Sequence, residues 1–338
     1  MSYTPKNIII SRTDSIGDVV LTLPVAKILK DHFPEIKIAF LGREYTRPII
    51  VACKYVDEFI DITDFLQEEI FVCNQKPEAI LHIFPVAAIA KKAKQLHIPL
   101  RIGTTNRLYH WFTCNRLVRL SRKNSALHEA QLNLQLLQPF GINKIFSTGE
   151  IAASFGLENI QPLEPQFSRL IQSGKYNLIL HPKSQGSARE WGEDNFISLI
   201  RSLDMKRYHI FISGTVKERA LLQPIFEAVG KNVTDISGNM NLAQFISFIN
   251  QCNGLVANST GPLHIAAALN KDAFGIFSSM RPIHPGRWAP LGKKAQVFVL
   301  NKKCTDCIRN KKSCHCIKEV PFIWIKNALD KACGDIGI

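Results

Sequence analysis

The sequence predicts an α/β fold built from two doubly wound units. Apolar strands alternate with helical segments over residues 6–140, and a second series of the same kind begins at residue 176. The first strand runs into a glycine turn and a helix start, which is typical of a Rossmann-like unit. The segment between the two series, residues 157–173, contains two prolines and lacks a strand pattern. We interpret it as an inter-domain linker.

The first unit opens on residues 7–18, NIIISRTDSIGD, which predict a strand, a polar loop and the start of a helix. The loop has one glycine instead of G-x-G-x-x-G, so no dinucleotide phosphate cradle is evident. Arg12, Asp14 and Asp18 stand there instead, and carboxylates at this point favour chemistry over phosphate binding. Further strands, apolar enough for a sheet covered on both faces, are predicted at residues 36–41, 59–62 and 79–84, with a helix near residues 47–53.

The second unit repeats the strand–helix pattern and ends in an amphipathic helix. Its strands end in serine, threonine and glycine, which build a ligand cleft at the carboxyl edge of an open sheet. The predicted strands are residues 176–180, 208–212, 254–257 and 273–277, and the predicted helix is residues 320–333.

The net charge of +14 favours an anionic partner, although a basic surface kept for solubility explains it too. Residues 91–123 carry nine Lys or Arg and no Asp or Glu, with Tyr109, Trp111 and Phe112 interleaved. Nucleic-acid binding uses such a mixture, but no RNA- or DNA-binding motif accompanies it. A cleft wall or membrane-facing surface for a phosphorylated glycolipid fits equally well.

Other features of the sequence indicate a cytoplasmic protein. No stretch approaches 18 consecutive apolar residues, and the first residues, MSYTPKN, lead into a strand without a signal-peptide region. Nine cysteines, an odd number, favour a reducing compartment. Four of them could hold zinc, although the spacing of the second pair is unusual and a reduced basic loop is the alternative: Cys304, Cys307, Cys314 and Cys316.

The strongest binding motif is NSTGPLHIAAAL at residues 258–269. A strand ends in Ser259, Thr260 and Gly261, and a helix then begins with a proline in its first turn. Helix N-terminal amides and hydroxyl groups suit a diphosphate, to which His264 can donate. The alternative is that Ser259 merely caps the helix.

Two further motifs predict contacts to a nucleotide. The loop of residues 182–191 carries Lys183, Ser184 and Arg189, which suit a diphosphate, unless it is a flexible loop packed by Trp191. Glu218 follows a strand-end glycine, where a carboxylate commonly grips ribose hydroxyls. A glutamate in a first helical turn is also favoured by the helix dipole alone.

Together these motifs resemble the ADP-heptose:lipopolysaccharide heptosyltransferases, a bacterial family (glycosyltransferase family 9) with the GT-B fold. The resemblance implies two Rossmann-like domains facing across a cleft, at residues 1–165 and 166–318, with a helix at 319–338 crossing back onto the first domain. The matching segments follow the family's order over about the whole chain: RTDSIGDVVLTLP at 12–24, RIG at 101–103, HEA at 128–130, the loop at 183–191, GTVKE at 214–218 and STGPLHIAAAL at 259–269.

The resemblance also implies residue roles. Asp18 matches the general base, and no metal or other cofactor is expected. The implied acceptor-binding residues are Arg12, Arg101 and His128. The implied donor-binding residues are Lys183, Ser184, Arg189, Glu218, Ser259, Thr260, Gly261 and His264.

The implied reaction is inverting transfer of heptose from ADP-heptose to the Kdo or heptose of the lipopolysaccharide inner core, an anionic lipid-linked acceptor. It would take place at the cytoplasmic face of the inner membrane, without nucleic acid. Some members carry Asp-Thr-Gly where this chain has Ser259-Thr260-Gly261, which leaves the donor open. The alternatives are a related glycosyltransferase with another nucleotide-sugar, and a non-catalytic nucleotide- or RNA-binding protein that uses residues 91–123.

Overall fold

The computed structural model describes residues 4–122, 125–280, 283–300 and 315–337. The chain divides into two compact units, Met1–Asn159 and Ile160–Ile338. The division falls inside the linker segment predicted at residues 157–173, slightly before the predicted boundary at residue 165.

The first unit is a six-stranded parallel sheet in the order β3-β2-β1-β4-β5-β6. Its strands are β1 (Asn7–Ser11), β2 (Lys37–Gly42), β3 (Glu58–Asp61), β4 (Ala79–His82), β5 (Leu100–Thr104) and β6 (Arg116–Val118). Its described helices are α1 (Ile16–Val20), α2 (Pro24–His32), α3 (Arg47–Val51), α4 (Ile62–Gln67), α5 (Ala87–Gln95), α6 (His110–Thr113), α7 (Glu129–Gln135) and α8 (Thr148–Ala152), with 3-10 turns at Glu44–Thr46 and Gln138–Phe140.

The apolar first strand lies at the centre of this sheet. Ile9 pairs in register with Ala39 of β2 and Ile80 of β4. Ile9 and its two neighbours, whose side chains point to the opposite face, are all fully buried. Both faces of the sheet are therefore covered, as the apolar strand pattern predicted.

The second unit repeats this topology, with strand order β12-β11-β10-β7-β8-β9. Its strands are β7 (Tyr176–His181), β8 (Tyr208–Ile212), β9 (Thr234–Asp235), β10 (Gly254–Asn258), β11 (Asp272–Ile276) and β12 (Ala295–Phe298). Its described helices are α9 (Pro165–Ser168), α10 (Glu193–Ser202), α11 (Val216–Val229), α12 (Leu242–Gln251), α13 (Gly261–Ala268), α14 (Pro285–Trp288) and α15 (Phe322–Asp335), with 3-10 turns at Gly230–Asn232 and Cys316–Glu319.

The final helix, α15, packs in the core of the second unit. That it also crosses back onto the first domain stays a prediction from the family resemblance. Its buried residues Ile325, Leu329 and Cys333 lie in the same core as α10 and strands β7 and β8. The Tyr208 hydroxyl donates to Asp330 at 3.0 Å, and the Trp191 indole donates to the Val320 carbonyl at 2.8 Å. Apolar burial and these two hydrogen bonds fix the helix on its own unit.

The strand orders determine where each unit can bind a ligand. In each sheet the first strand is central, and the chain winds first to one side and then to the other. The direction changes between β1 and β4 in the first unit and between β7 and β10 in the second. Ligands of open parallel sheets bind at the carboxyl ends of the strands at such switch points.

Candidate functional site

The loop after β1 lies at the first switch point and is organised by Arg12. This side chain is only 3% exposed. Its Nε donates to Asp14 Oδ1 at 2.7 Å, Nη1 contacts Glu129 Oε1 at 3.2 Å, and Nη2 donates to Asp18 Oδ1. All three guanidinium nitrogens therefore donate to protein carboxylates, and Arg12 holds the loop. The contact of Arg12 with the acceptor stays a prediction from the family resemblance.

Helix α7 supplies the far side of this network through Glu129 and Asn133, which lie one turn apart. A second guanidinium, that of Arg122, donates to Glu129 Oε1 at 2.9 Å and to Asn133 Oδ1 at 3.0 Å. Glu129 is a buried carboxylate, 1% exposed, held by two cations. Sequence reasoning missed both α7 residues, although the HEA match at residues 128–130 lay on Glu129.

Asp14 and Asp18 share Arg12 but differ in their surroundings. Burial, together with the charge of Asp18, raises the pKa of Asp14 to about 6 against the attraction of Arg12. Asp18 lies in the first turn of α1 and accepts a second hydrogen bond, from Ser15 Oγ at 2.5 Å. Its side chain is 17% exposed, so part of an oriented carboxylate faces the edge of the sheet.

The other two predicted acceptor residues have structural contacts. Arg101 donates to the carbonyls of Ile98 at 2.5 Å and Thr113 at 2.7 Å. His128 is the N-cap of α7, and its Nδ1 accepts from the Ala130 amide at 3.2 Å. The structure thus brings Asp18 together with Arg12 and does not place Arg101 in that group.

At the second switch point, Asn258, the last residue of β10, holds both ends of the loop that follows β7. Its Oδ1 accepts from the Trp191 amide at 2.9 Å, and its Nδ2 donates to the Pro182 carbonyl at 2.8 Å. Asn258 is fully buried. The sequence motif included this residue, but its bridging function has no local sequence signal because its partners lie more than 60 residues away.

The N-terminus of α13 provides backbone donors at this edge. Thr260 is the N-cap residue and makes no side-chain capping bond, and Pro262 occupies the first turn. The alternative in which Ser259 caps the helix is therefore not what the structure has. Uncapped amides at a helix N-terminus, reinforced by the helix dipole, suit an anionic group. His264, on the same helix, is 4% exposed.

In the loop after β7, two predicted phosphate ligands are held by carboxylates of this chain. Lys183 Nζ lies 2.5 Å from Glu193 Oε1. Ser184 donates to Glu190 Oε1 through its amide and its hydroxyl, both at 3.0 Å. An incoming diphosphate would compete with Glu190 and Glu193 for these donors. Arg189, half-buried, lies in the same loop.

Glu218 has one engaged oxygen and one available oxygen. Oε2 accepts from the Thr215 amide at 2.8 Å and its hydroxyl at 2.9 Å, which forms a capping box at the start of α11. Oε1 is buried and has no hydrogen-bond partner in the described part of the chain. Nearby, burial lowers the pKa of His181 to about 4 although the charge of Glu218 opposes the shift.

The proposed zinc ligands Cys304, Cys307 and Cys314 lie outside the described residues. Cys316 is described, is buried, and places Sγ 3.6 Å from Ser278 Oγ. Among the residues that the structure describes, no group of three His, Cys, Asp or Glu side chains could hold a metal ion. Within the same residues no helix is both long and apolar enough to span a bilayer.

Two doubly wound units, one with an oriented carboxylate and the other with an open helix N-terminus at its switch point, define an α/β protein with a candidate ligand site in each unit. The chain belongs to glycosyltransferase family 9 (heptosyltransferase), whose model matches residues 86–318. The resemblance seen in the sequence is thereby confirmed, and the protein is a glycosyltransferase.

Relatives of known description are distant but match along most of their length. A Haemophilus influenzae protein, described only as a candidate glycosyltransferase, is 23% identical over 299 residues, covering 85% of this chain and 86% of the relative. Lipooligosaccharide heptosyltransferase 2 of the same organism is 21% identical over 322 residues, covering 87% and 88%.

Solved structures of the family share the fold. A glycosyltransferase family 9 protein from Veillonella parvula superposes with a TM-score of 0.78 at 17% identity, covering 99% of both chains. The E. coli ADP-heptose LPS heptosyltransferase II superposes with a TM-score of 0.73 at 16% identity, covering 98% of this chain and all of that one. This similarity confirms the predicted fold class, two Rossmann-like units of the GT-B type.

Proposed function

We propose that this glycosyltransferase moves heptose from ADP-heptose to a sugar of the lipopolysaccharide inner core, with Asp18 as general base. The observation that carries the proposal is the oriented, partly exposed carboxylate of Asp18 at the first switch point. The similar proteins, which include an ADP-heptose LPS heptosyltransferase and a lipooligosaccharide heptosyltransferase, support the donor and acceptor classes.

In the proposed reaction Asp18 accepts the proton of an acceptor hydroxyl. The hydroxyl oxygen attacks the anomeric carbon of the donor sugar, the bond from that carbon to the diphosphate oxygen breaks, and ADP leaves with the electron pair. Attack from the side opposite the leaving group inverts the anomeric configuration. Proton removal by a positioned carboxylate contributes about 10²- to 10⁴-fold to such a step.

Arg12 acts in this proposal as a positioning residue. Because it donates to Asp18 from one side while Ser15 donates from the other, the carboxylate keeps one orientation. The buried partner Glu129 fixes Arg12 in turn. The acceptor-binding roles of Arg101 and His128 stay predictions from the family resemblance.

The donor's diphosphate would bind at the second switch point. The α13 amides, Thr260, Gly261 and His264 would face it from one loop, with Ser259 beside them, and Lys183, Ser184 and Arg189 from the other, once Glu190 and Glu193 release their donors. The free oxygen of Glu218 supports a contact to a ribose hydroxyl. Backbone amides and cations can stabilise the leaving diphosphate electrostatically.

The test is the Asp18→Asn variant, assayed with ADP-heptose and a Kdo-bearing acceptor. We expect kcat to fall by about 10²- to 10⁴-fold while the Kd for ADP-heptose stays within twofold. Asp31→Asn, an exposed carboxylate on α2, is the matched control and should keep full activity. If Asp14→Asn loses activity and Asp18→Asn keeps it, Asp14 is the base and the assignment is wrong.

A further inference from the structure

We propose that a turn at the carboxyl edge of the first unit docks on the surface of an anionic lipid bilayer. This docking turn comprises residues 107–113, between β5 and β6. Three large apolar side chains project from it, with exposed fractions of 77% for Leu108, 58% for Trp111 and 69% for Phe112. Their spacing of three and four residues along a helical turn places them on one face.

Hydrogen bonds to the rest of the first unit fix the backbone of the docking turn. His110 is fully buried, and its Nδ1 accepts from the Thr104 amide at 2.9 Å. A side chain at position 103 would put a Cβ 2.6 Å from that nitrogen, so Gly103 provides the space for the imidazole. Lys94 donates to the Phe112 carbonyl at 3.0 Å. The apolar side chains are thus presented outward by an ordered backbone.

Two further side-chain hydrogen bonds, from Arg101 and from the Trp111 indole, hold the backbone of the docking turn. Arg101 Nε donates to the Thr113 carbonyl at 2.7 Å, and Trp111 Nε1 donates to the Thr105 carbonyl at 3.0 Å. With its polar atom satisfied by the protein, the Trp111 ring presents its apolar part to solvent. Tryptophan in this situation suits the boundary between lipid headgroups and acyl chains.

The surroundings of the docking turn are entirely cationic in sequence, since residues 91–122 contain no Asp or Glu. The structure pairs none of the exposed cations there with a carboxylate in the described part of the chain. These cations are Lys91, Lys94, Arg107, Arg116 and Arg119. An apolar turn within a segment rich in exposed cations complements a bilayer that contains anionic headgroups.

The same observations favour lipid over single-stranded RNA. RNA-binding surfaces present aromatic faces on which bases stack. Here the most exposed of the three projecting apolar side chains is the aliphatic Leu108, which offers no stacking face, and Tyr109 is half-buried. Insertion into the acyl boundary uses all three projecting side chains, whereas base stacking uses two.

The docking turn starts at the sheet edge that also carries the Asp18 loop. The docking turn follows β5 and the Asp18 loop follows β1, with β4 between these parallel strands. Their carboxyl ends share one edge of the sheet, and adjacent strands lie about 4.8 Å apart, which separates the two ends by about 10 Å. The inference goes beyond the proposed transfer reaction and stands without it.

The experiment is flotation of the full chain with vesicles of phosphatidylethanolamine and phosphatidylglycerol, compared with phosphatidylcholine alone. We expect binding to the anionic vesicles only. Trp111→Ser/Phe112→Ser should bind at least tenfold more weakly, whereas Ile145→Ser, another exposed apolar residue of this unit at 61%, should bind as the wild type does. Each removed cation, tested with Arg107→Gln and Arg119→Gln, should weaken binding about fivefold at low salt.

Trp111 fluorescence gives a second measurement that needs only a conservative variant. Lipids brominated in their acyl chains should quench the wild type, and Trp111→Phe should abolish the lipid-dependent quenching. This readout holds even where the double serine variant fails to fold, which its thermal unfolding would reveal.

Several outcomes would overturn the proposal. These are equal flotation with phosphatidylcholine, no flotation at all, or wild-type binding by the double serine variant. If the wild-type protein is a dimer that does not bind vesicles, and the double serine variant is a monomer, the turn is an interface between two copies of the chain. Salt-sensitive binding of single-stranded RNA without vesicle binding would make it an RNA site. Transfer assays with a detergent-solubilised acceptor are independent of each of these results.

Discussion

At the residue scale, Arg12 explains how the loop after β1, which lacks the G-x-G-x-x-G phosphate-binding pattern, is held in place at the edge of the sheet. One buried guanidinium meets three carboxylates, those of Asp14, Asp18 and Glu129. Removing one member of such a buried network leaves the others with unpaired charge, which is strongly destabilising. The network therefore has to be complete, and the most exposed parts of it are Asp14 and Asp18 at the edge of the sheet.

A buried histidine beneath this edge leads to a pH prediction. His82 is fully buried, neither ring nitrogen has a partner in the described part of the chain, and its ring lies 5.5 Å from that of His110. Burial, followed by repulsion from His110, lowers the pKa of His82 to about 3. In the unfolded chain a histidine titrates near pH 6.5.

Because the folded pKa is lowered, the unfolded state binds an extra proton below pH 6.5. The His82 contribution to stability is full above that pH and is lost as the pH falls towards 3. We expect His82→Leu to be at least as stable as the wild type at pH 7, since it removes two unsatisfied nitrogens. Its advantage in urea unfolding should grow by about 2 kcal/mol between pH 7 and pH 5.

The control for this measurement is His315→Leu, which replaces an exposed histidine and should leave the pH dependence unchanged. A His82→Leu variant whose stability follows that of the wild type in parallel over this pH range would contradict the prediction.

The sequence predicted functional residues that lie within one loop, but it did not predict the distant residues that hold them in place. Arg12 and Asp18 were placed together because six residues separate them. Glu129 lies 117 residues from Arg12, and Asn258 bridges residues 67 and 76 positions away. Such contacts depend on the tertiary fold and leave no local pattern. Lys183 and Ser184 were predicted as phosphate ligands, and their carboxylate partners Glu193 and Glu190 were not predicted. These acids are near in sequence, but an acidic residue near a loop can face solvent, cap a helix or pair with a cation, and the sequence does not distinguish these roles.

At the element scale, strand β10 offers a comparison between its two ends. Asn258 at the carboxyl end holds both ends of the loop that follows β7. Asn253, just before the amino end, accepts from the Asn177 amide at 2.7 Å on the opposite edge of the same sheet. The two residues have the same chemistry and comparable structural tasks, but only Asn258 lies at the switch point.

We expect Asn258→Ala to weaken ADP binding at least tenfold, because the Pro182 and Trp191 backbone groups lose their shared partner and the loop after β7 is no longer held to the end of β10. Asn253→Ala should leave the Kd for ADP unchanged. Either substitution should destabilise the second unit by about 1–3 kcal/mol. Titration calorimetry with ADP and thermal unfolding measure the two effects, and equal losses of ADP affinity would refute the special role of Asn258.

The sequence predicted the apolar central strands and one edge strand, β3, and it missed β5, β6, β9 and β12. Strand β5 contains Arg101 and a glycine within the cationic segment, and β6 begins with an arginine, so neither shows a continuous apolar run. Strand β9 has two residues. Three of the missed strands, β6, β9 and β12, are edge strands, and β5 lies next to one. Edge strands are less completely buried, so their sequences need not be continuously apolar.

At the scale of the whole molecule, each unit has a hydrophobic core of its own. One core surrounds Ile9 and Phe65 in the first unit, and another surrounds Trp191 and Phe196 in the second. Units with separate cores can unfold in separate transitions, so a single melting temperature is not a sufficient description. The fold class followed from the repeated strand–helix pattern, whereas the packing of α15 in the core of the second unit is a tertiary contact that periodicity cannot specify.

A nucleotide that binds only the second unit should therefore stabilise that unit alone. With ADP at 100 times its Kd, we expect the transition of residues 160–338 to gain about 2.7 kcal/mol and that of the first unit to stay in place. UDP and GDP at the same concentration should give smaller shifts. Asp18→Asn should keep the full ADP shift, whereas Arg189→Ala should reduce it.

Calorimetry combined with fluorescence can assign the two transitions, because Trp191, Trp288 and Trp324 lie in the second unit and only Trp111 lies in the first. In a Trp111→Phe variant the intrinsic fluorescence follows the second unit alone, and that signal should move with ADP. If ADP moves the calorimetric transition that this fluorescence does not follow, the nucleotide binds the first unit. The proposal that Asp18 serves the acceptor in the first unit while α13 binds the donor in the second is then wrong. If ADP moves neither transition while a UDP- or GDP-sugar moves the second, the division stands and the donor nucleotide is different.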